Sequence, residues 1–304
     1  MQWFFIALGA PFLWALTNIT DQYLVEKYSV GKRGSGGLVL FSSLIGIFVA
    51  VGIGIFIDGI FSIPFFDKLL LIITGGITIL WIILYLFTLE IEDVSVVVPW
   101  FLTIPIFGYA LGYIFLGETL TGQQIIGSIV TLLGVLLISI DFSGEKRKIN
   151  VRPMLYMLAA CLLVAIAGVI FKYVTFGDNF WISSFWEYVG LGGFGILIYF
   201  FVPKYRAEFM LMNHKGGKKI FALNTFNETI TIIGNLLTNY ALLLAPVTMV
   251  YLVGSFQPAI VLFLTLFLTK FFPKIIKEDM RERILLPKII AVAIMILGSA
   301  ILFI

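Results

Sequence analysis

The chain has 304 residues, of which 61% are hydrophobic and only 12% are charged, with a net charge of +3 and a mean hydropathy of +1.08. Soluble domains average about 25% charged residues, so this composition excludes an ordinary soluble protein and indicates one that lies in a membrane. One histidine and one cysteine are too few for a typical metal site or for an internal disulfide.

The hydrophobic residues fall into segments that are long enough to cross a bilayer. A transmembrane helix needs about 20 apolar residues, whereas a barrel strand needs only about 10 alternating ones. The polar stretches that separate the segments lie at 142–152, 203–218 and 271–285, and none is long enough for a soluble domain. We therefore predict an all-α integral membrane protein with ten transmembrane helices, at roughly 2–20, 37–57, 68–89, 95–116, 123–141, 153–174, 181–202, 219–243, 247–270 and 286–304.

The second half of the chain repeats the first. Ile125-Ile126-Gly127 and Leu133-Gly134 recur as Ile289-Ile290-Ala291 and Leu297-Gly298, and Pro105 recurs as Pro258. The predicted organisation is a first repeat at 1–141, a basic connecting loop at 142–152 and a second repeat at 153–304. Because each repeat has an odd number of spans, the second enters the membrane inverted. Two inverted repeats around a central cavity are typical of secondary transporters.

Positive charge is distributed unevenly between the two sides of the predicted bundle. All of the 20 lysine and arginine residues except Lys68 and Lys172 lie in four alternate loops or at their edges. The positive-inside rule places these loops in the cytoplasm and both termini outside a cytoplasmic (inner) membrane. This distribution explains the basic loops without any nucleic-acid partner.

A short signature links the chain to a known family. The stretch 115–127 (FLGETLTGQQIIG), followed by Leu133-Gly134-Val135, closely resembles the signature of EamA-type transporters of the drug/metabolite transporter superfamily. Trp14 with Asn18, and the spacing from Pro105 to Glu118, are further matches. The second copy departs from the signature, with Lys270 and Phe271 where Gly117 and Glu118 would align. The family's usual arrangement has both termini in the cytoplasm, which is the reverse of what the charges predict.

The resemblance implies ten helices around a central cavity, with the substrate moved by alternating access and without ATP hydrolysis. It also implies that the face of the first span carrying Trp14, Thr17, Asn18 and Asp21 lines the cavity, with Trp14 as a stacking surface. Asp21 lies nearer the basic side, where pairing with a loop lysine is the alternative. In the third span, Trp81, Tyr85 and Thr88 share one face, as cavity lining or as core aromatics.

The eighth predicted span carries the strongest local pattern. Five polar residues, spaced by four, three, four and three positions, share one helix face, and two more asparagines flank it. Such a face must contact other helices or a cavity rather than lipid, so it indicates either a hydrogen-bonded seam or cavity lining. We expect cavity lining, with Glu228 binding a cationic group or exchanging a proton. The residues are Asn224, Glu228, Thr231, Asn235 and Thr238, with Asn227 and Asn239 beside them.

Other residues are candidates for gating or for bending the helices. Lys172 ends the sixth span and Glu187 begins the seventh, so we predict an ion pair that is structural or acts as a gate. Proline interrupts a helix by removing a hydrogen bond, and the repeat-related Pro105 and Pro258 are the predicted hinges. Glu118 is predicted to cap the fifth helix.

These patterns predict a secondary-active transporter of a small organic metabolite, such as an amino acid, an amine or a drug-like compound, with proton coupling as one option. A lipid or lipid-carrier flippase is the alternative within transport. A membrane-embedded lipid-modifying enzyme is the alternative of another class, with Glu228 and Glu187 as the only candidate pair. We expect no enzyme activity and no cofactor, since the sequence has no phosphate-binding Gly-Lys-Ser/Thr loop and no His-Glu-x-x-His motif. The expected partners are a small-molecule substrate and the lipid bilayer, in a monomer or a homodimer.

Overall fold

The computed structural model describes residues 2–28, 35–92, 97–138, 151–175, 179–271 and 282–301. These residues are helical, with short turns and no β-strand among them, which confirms the predicted all-α class. Many of the basic loop residues lie outside the described ranges, as do Ile140 and Ile304 at the ends of the two copies. The first half contains α1 (Gln2–Tyr28), α2 (Gly36–Phe56), α3 (Phe65–Leu89), a 3₁₀-helix (Val98–Thr103), α4 (Ile104–Leu116) and α5 (Gly122–Ile138).

The second half contains α6 (Val151–Val174), α7 (Phe180–Phe201), α8 (Pro203–Leu244), α9 (Val247–Gly254), α10 (Gln257–Phe271) and α11 (Glu282–Ile301). The described residues thus form eleven α-helices where the sequence predicted ten. The ninth predicted span is divided into α9 and α10, because Pro258 has no N–H to continue the α-helical hydrogen bonds. The fourth begins as a 3₁₀-helix and becomes α-helical just before Pro105.

Six stretches among the described residues are long and apolar enough to cross a membrane: Gln2–Val25, Gly36–Phe56, Phe65–Leu89, Val151–Val174, Phe180–Phe201 and Val247–Leu264. Three shorter apolar helices accompany them, at Trp100–Leu116, Gly122–Gly134 and Leu285–Ile301. The predicted eighth span is absent from both sets, because its polar stripe lowers the hydropathy of α8. These lengths and compositions describe a multi-pass membrane protein.

Helix α8 corrects the sequence-based loop at 203–218. It begins at Pro203, which is well placed at a first helical position, and it runs for 42 residues. The helix is interrupted at Gly217, whose φ of 55° and ψ of −160° suit glycine and no other residue. The predicted loop is therefore a helical extension, and it meets the rest of α8 at a kink at Gly217.

The helices pack in pairs across the two halves of the chain. The main contacts join α1 with α8, α3 with α6, α2 with α7, α5 with α11 and α4 with α9. Further contacts join α3 with α7, α2 with α8, α4 with α6, and α1 with α9 and α10. Because every one of these pairs joins the first half to the second, the core lies between the halves.

The closest of these contacts is the crossing of α3 and α7. A Cβ on Gly75 would overlap the backbone of Leu191 and Glu187, and a Cβ on Gly190 would overlap the backbone of Ile72. Small residues let helix backbones touch in this way, which strengthens van der Waals packing inside a membrane. The crossing fixes the position of Glu187, one turn before Gly190 on α7.

Candidate functional site

A cavity of about 150 Å³ lies between the two halves. It is lined by residues from α1, α3, the 3₁₀-helix and α4 of the first half and from α6 to α10 of the second. The polar lining residues are Thr17, Asn18, Asp21, Thr78, Glu187, Thr231, Asn235, Thr238, Asn239 and Gln257. The aromatic ones are Trp14, Trp81, Tyr85, Phe101, Tyr188 and Tyr251. Of the residues predicted to bind substrate, the cavity therefore brings together Trp14, Asn18, Tyr85, Thr231, Asn235 and Asn239.

Asp21 is the centre of a hydrogen-bonded group that joins α1, α3 and α8. The Asn227 side-chain amide donates to Asp21 Oδ1 at 2.7 Å. The Tyr85 hydroxyl lies 3.0 Å from Asn18 Oδ1 and 3.3 Å from Asp21 Oδ2, and its single proton serves one of them at a time. We call these four residues the Asp21 group. The resemblance implied that Asp21 lines the cavity, with a loop lysine as the alternative partner, and in the structure Asp21 lies in the cavity wall and bonds neutral side chains.

Two atoms of the Asp21 group have no hydrogen-bond partner. Asn18 Nδ2 is a donor in a side chain that is only 5% exposed, and Asn227 Oδ1 is an acceptor in one that is only 3% exposed. Buried polar atoms are normally hydrogen-bonded, so each unpaired atom needs an explanation. Asn18 is one of the lining residues, so its unpaired donor lies within the wall of the cavity.

Aromatic rings form one wall of the cavity beside this group. The ring centroids of Trp81 and Tyr85 are 6.2 Å apart, and those of Tyr85 and Phe101 are 5.8 Å apart. On the facing side, Trp14 packs so closely on Gly234 that a Cβ there would lie 2.6 Å from Trp14 Nε1. The wall offers the negative faces of several rings next to a carboxylate.

Glu187 is the second carboxylate in the lining. The Asn239 amide donates to Glu187 Oε2 at 2.8 Å, so α7 and α8 are joined there by a side-chain bond. Nearby, the Tyr251 hydroxyl donates to the Val164 carbonyl at 3.0 Å. Lys172, which was predicted to pair with Glu187, does not contact it.

Lys172 pairs with Glu118 instead, which corrects that prediction. Lys172 Nζ lies 2.6 Å from Glu118 Oε1 and donates to the Ala245 carbonyl at 2.7 Å. The backbone N–H of Val247 donates to Glu118 Oε2 at 2.8 Å. The cation thus lies at the C-terminal end of α8 and the carboxylate at the N-terminus of α9, where the helix dipoles favour each charge. The sequence could not anticipate this, because Glu118 and Lys172 approach only when the two halves pack.

The sequence predicted that Glu118 caps α5, and this prediction is also wrong. The N-terminus of α5 is already capped by a reciprocal pair: Thr121 N–H donates to Gln124 Oε1 at 2.9 Å, and Gln124 N–H donates to Thr121 Oγ1 at 3.2 Å. This Thr-x-x-Gln capping box satisfies two backbone donors. The carboxylate of Glu118 is therefore free to bond α9.

Glu228 is not among the residues that line the described cavity. It accepts a hydrogen bond from the Ser42 hydroxyl, between α8 and α2. Asn224, one turn earlier, is buried, with its amide 3.9 Å from Met212 Sδ. Gly75, the residue that the predicted repeat aligns with Glu228, lies in the close crossing of α3 and α7. The stripe on α8 therefore divides: Thr231, Asn235 and Thr238 line the cavity, and Asn224 and Glu228 bond neighbouring residues.

The predicted hinges lie at irregular points in the helices. Pro105 follows the 3₁₀-helix, and Pro258 is at the start of α10, two residues after the break from α9. Their neighbours Ile104 and Gln257 both line the cavity. Among the described residues, no group of histidine, cysteine, aspartate and glutamate could hold a metal ion.

The fold describes a multi-pass membrane protein with a polar cavity between its two halves. Residues 1–140 match the EamA-like transporter family, which confirms the resemblance predicted from the signature. A solved crystal structure is similar over 100% of this chain and 96% of its own, with a TM-score of 0.68 and 14% sequence identity, which shows a shared fold. No curated protein is significantly similar to the chain in sequence.

Proposed function

We propose that the protein is a secondary-active transporter that moves a small organic metabolite by alternating access, driven by a proton gradient. The observation that carries this proposal is the cavity between the two halves, which both halves line with polar side chains. Buried polar groups of this kind in a membrane protein mark substrate and ion pathways.

The pattern of helix contacts supports an inverted repeat. In an inverted repeat, α1, α2, α3, α4 and α5 would correspond to α6, α7, α8, α9–α10 and α11, in that order. Under this correspondence, the α1–α8 contact is equivalent to the α3–α6 contact, and the α3–α7 contact is equivalent to the α2–α8 contact. The α4–α6 contact is equivalent to the contact of α1 with α9 and α10. The remaining three contacts, α2–α7, α5–α11 and α4–α9, are each their own equivalent. Each main contact therefore has an equivalent, as two related halves packed about a two-fold axis require.

The Glu118–Lys172 pair supports alternating access. It joins the loop after α4 to the ends of α6 and α8, so residues of both halves close one end of the bundle. Opening that end would separate these charges, while the cavity would remain between the halves. The pair therefore takes the gate role that the sequence had assigned to Lys172 and Glu187.

The cavity volume limits the size of the substrate. Pockets for drug-sized ligands measure roughly 300–1,000 Å³, and this cavity measures about 150 Å³. The proposed substrate is therefore about as large as an amino acid or a single-ring amine. The lipid-enzyme alternative gains no support, because its two carboxylates have separate partners, Glu187 with Asn239 and Glu228 with Ser42.

The direct test is transport by purified protein in proteoliposomes. Radiolabelled amino acids and single-ring amines are supplied with an imposed pH gradient, without one, and with a protonophore. We expect at least one compound to accumulate only with protein and gradient together, and the exposed Asp58→Asn variant to match the parent. If no compound enters faster than into protein-free liposomes, the proposal is wrong.

A further inference from the structure

The charged lining of the cavity is one-sided. Among the described lining residues, Asp21 and Glu187 are carboxylates, and there is no lysine, arginine or histidine. Lys172 of α6 does not neutralise them, since it bonds both Glu118 and the Ala245 carbonyl. A carboxylate without a counter-ion is costly to bury, so a cationic group beside Asp21 or Glu187 would be favoured.

The hydrogen-bonding groups of the cavity wall point to the same place. Asp21 accepts from Asn227, and three residues before it Asn18 Nδ2 is buried without a partner. Residues three apart lie on one helix face, so the acceptor and the free donor are neighbours. A ligand that satisfies both carries a donor for Asp21 and an acceptor for Asn18.

The aromatic wall fits a cation better than an anion. Trp81, Tyr85 and Phe101 are packed ring to ring, and Tyr85 is also a member of the Asp21 group. A cation within about 6 Å of an aromatic face is attracted by the ring, while an anion is not. Carboxylate and rings together would hold a positively charged group at one end of the cavity.

We propose that Asp21 is the counter-ion for the ammonium group of the substrate, a small primary amine whose neighbouring hydroxyl or carbonyl oxygen accepts a hydrogen bond from Asn18. This inference rests on the proposed transport function and names its substrate class. Asp21 binds the ammonium, Asn18 binds the oxygen, and the rings of Trp81 and Phe101 cover the apolar part.

Three probes with the same ring and the same two-carbon spacer isolate the charge: phenethylamine, 2-phenylethanol and 3-phenylpropionate. Binding to the purified full-length protein is measured by titration calorimetry. We expect phenethylamine to bind at least about tenfold more tightly than the neutral and anionic probes, since a charge-assisted bond is worth a tenfold change or more. Equal or tighter binding of either other probe, or no binding of any probe, overturns the proposal.

Asp21→Asn should weaken phenethylamine binding by about tenfold or more, whereas Asp58→Asn, at an exposed turn, should leave it unchanged. Unchanged binding by a folded Asp21→Asn protein contradicts the role of Asp21. A second comparison does not depend on that variant. The parent should prefer 2-amino-1-phenylethanol, which adds a hydroxyl, over phenethylamine. Asn18→Leu should remove this preference, measured as the ratio of the two affinities in the same variant.

Binding and transport separate the two proposals. If proteoliposomes accumulate 3-phenylpropionate and the protein does not bind the amine, the amine site is wrong and the transport function stands. If the amine binds through Asp21 but no compound moves across the membrane, the site stands and the transport function is wrong.

Discussion

The Asp21 group and the Glu118–Lys172 pair both place charge inside an apolar protein, and they do so in opposite ways. Glu118 uses both carboxylate oxygens, one on Lys172 and one on the Val247 N–H, and Lys172 also bonds a carbonyl. Asp21 has only neutral partners, and Asn18 beside it has a free donor. A site whose polar atoms are all bonded holds the structure together. A site that leaves a charge and a donor unpaired is ready to bind a ligand.

The strongest test of this contrast is the loss of Lys172. Lys172→Met keeps the length of the side chain but leaves Glu118 without its cation, and removing one partner of a largely buried pair costs about 3 kcal/mol. We expect a loss of unfolding free energy of that size in detergent. The double variant Glu118→Gln/Lys172→Met should recover part of it, because no charge is then left unpaired.

The matched control for this test is Lys204→Met. Lys204 Nζ lies 3.7 Å from Glu208 Oε1, but the Lys204 side chain is 65% exposed, so the pair is accessible to solvent. Exposed pairs contribute about 0–1 kcal/mol. If Lys172→Met and Lys204→Met lose equal amounts of unfolding free energy, the Glu118–Lys172 pair does not have the structural role assigned to it.

The second test concerns amine binding by the other carboxylates. Glu187 lines the cavity and Glu228 does not, so we expect Glu187→Gln to weaken phenethylamine binding about threefold and Glu228→Gln to change it less than twofold. Coulomb attraction between two charges falls with distance. We therefore expect the largest loss of binding for Asp21→Asn, a smaller loss for Glu187→Gln and the smallest for Glu228→Gln. The measurement is the same calorimetric titration. A loss for Glu228→Gln as large as that for Asp21→Asn would restore Glu228 as the central residue, as the sequence predicted.

The third test is the stability of Asp21→Asn. An asparagine at this position can still accept from Asn227 and bond Tyr85, and it removes a charge that has no counter-ion. We expect its unfolding free energy to equal that of the parent within about 1 kcal/mol or to exceed it, in contrast to Lys172→Met. Thermal unfolding in the absence of ligand provides the measurement. A loss of the size expected for Lys172→Met would mean that Asp21 is a structural residue.

Glu208 is a third carboxylate, on the extension of α8 that precedes the membrane. Its surroundings are intermediate between those of Asp21 and those of Glu118. Glu208 lies against Gly36 at the N-terminus of α2. Burial raises the pKa of Glu208 above its usual range, Lys204 lowers it, and Glu90 adds to the increase. The folded protein therefore holds this proton more tightly than the unfolded chain does. The resulting stability is present below the ordinary carboxyl pKa of 4.5 and is lost as the pH rises through the folded-state pKa.

We therefore expect the melting temperature of the parent to fall as the pH is raised from about 5 to 8, and Glu208→Gln to reduce this fall. This change in melting temperature is the smallest of the four effects expected in these tests, because only one carboxyl is removed. Asp58→Asn serves as the control for a change of net charge. An identical pH profile for the parent and Glu208→Gln would show that this carboxyl does not affect stability.

Hydrophobic length and periodicity were sufficient to predict most of the fold. Each of the ten predicted segments overlaps a helix, because about 20 apolar residues must form one in a bilayer. The structure differs from the prediction where a proline interrupts a span and where a charged stretch is helical. Pro258 separates α9 from α10, and residues from Pro203 extend α8 through a stretch whose polarity had indicated a loop.

The site was predicted less completely, because helix periodicity shows which residues share a face but not which helices meet. It identified Trp14, Asn18 and Asn235, which line the cavity. It gave no means of knowing that Asp21 faces Tyr85 of α3 and Asn227 of α8, since these contacts span most of the chain. The one signal for Asp21 was its position three residues after Asn18.

The crossing of α3 and α7 differs in one respect from the crossing of α2 and α8. At the first, Gly75 lets two backbones touch. At the second, Glu228 of α8 is bonded to Ser42 of α2. Backbones in contact resist sliding but can rotate, whereas a side-chain bond can break and reform. We expect the α3–α7 crossing to act as a fixed pivot and the α2–α8 crossing as a reversible latch, so that the two crossings would contribute unequally to any motion of one half against the other.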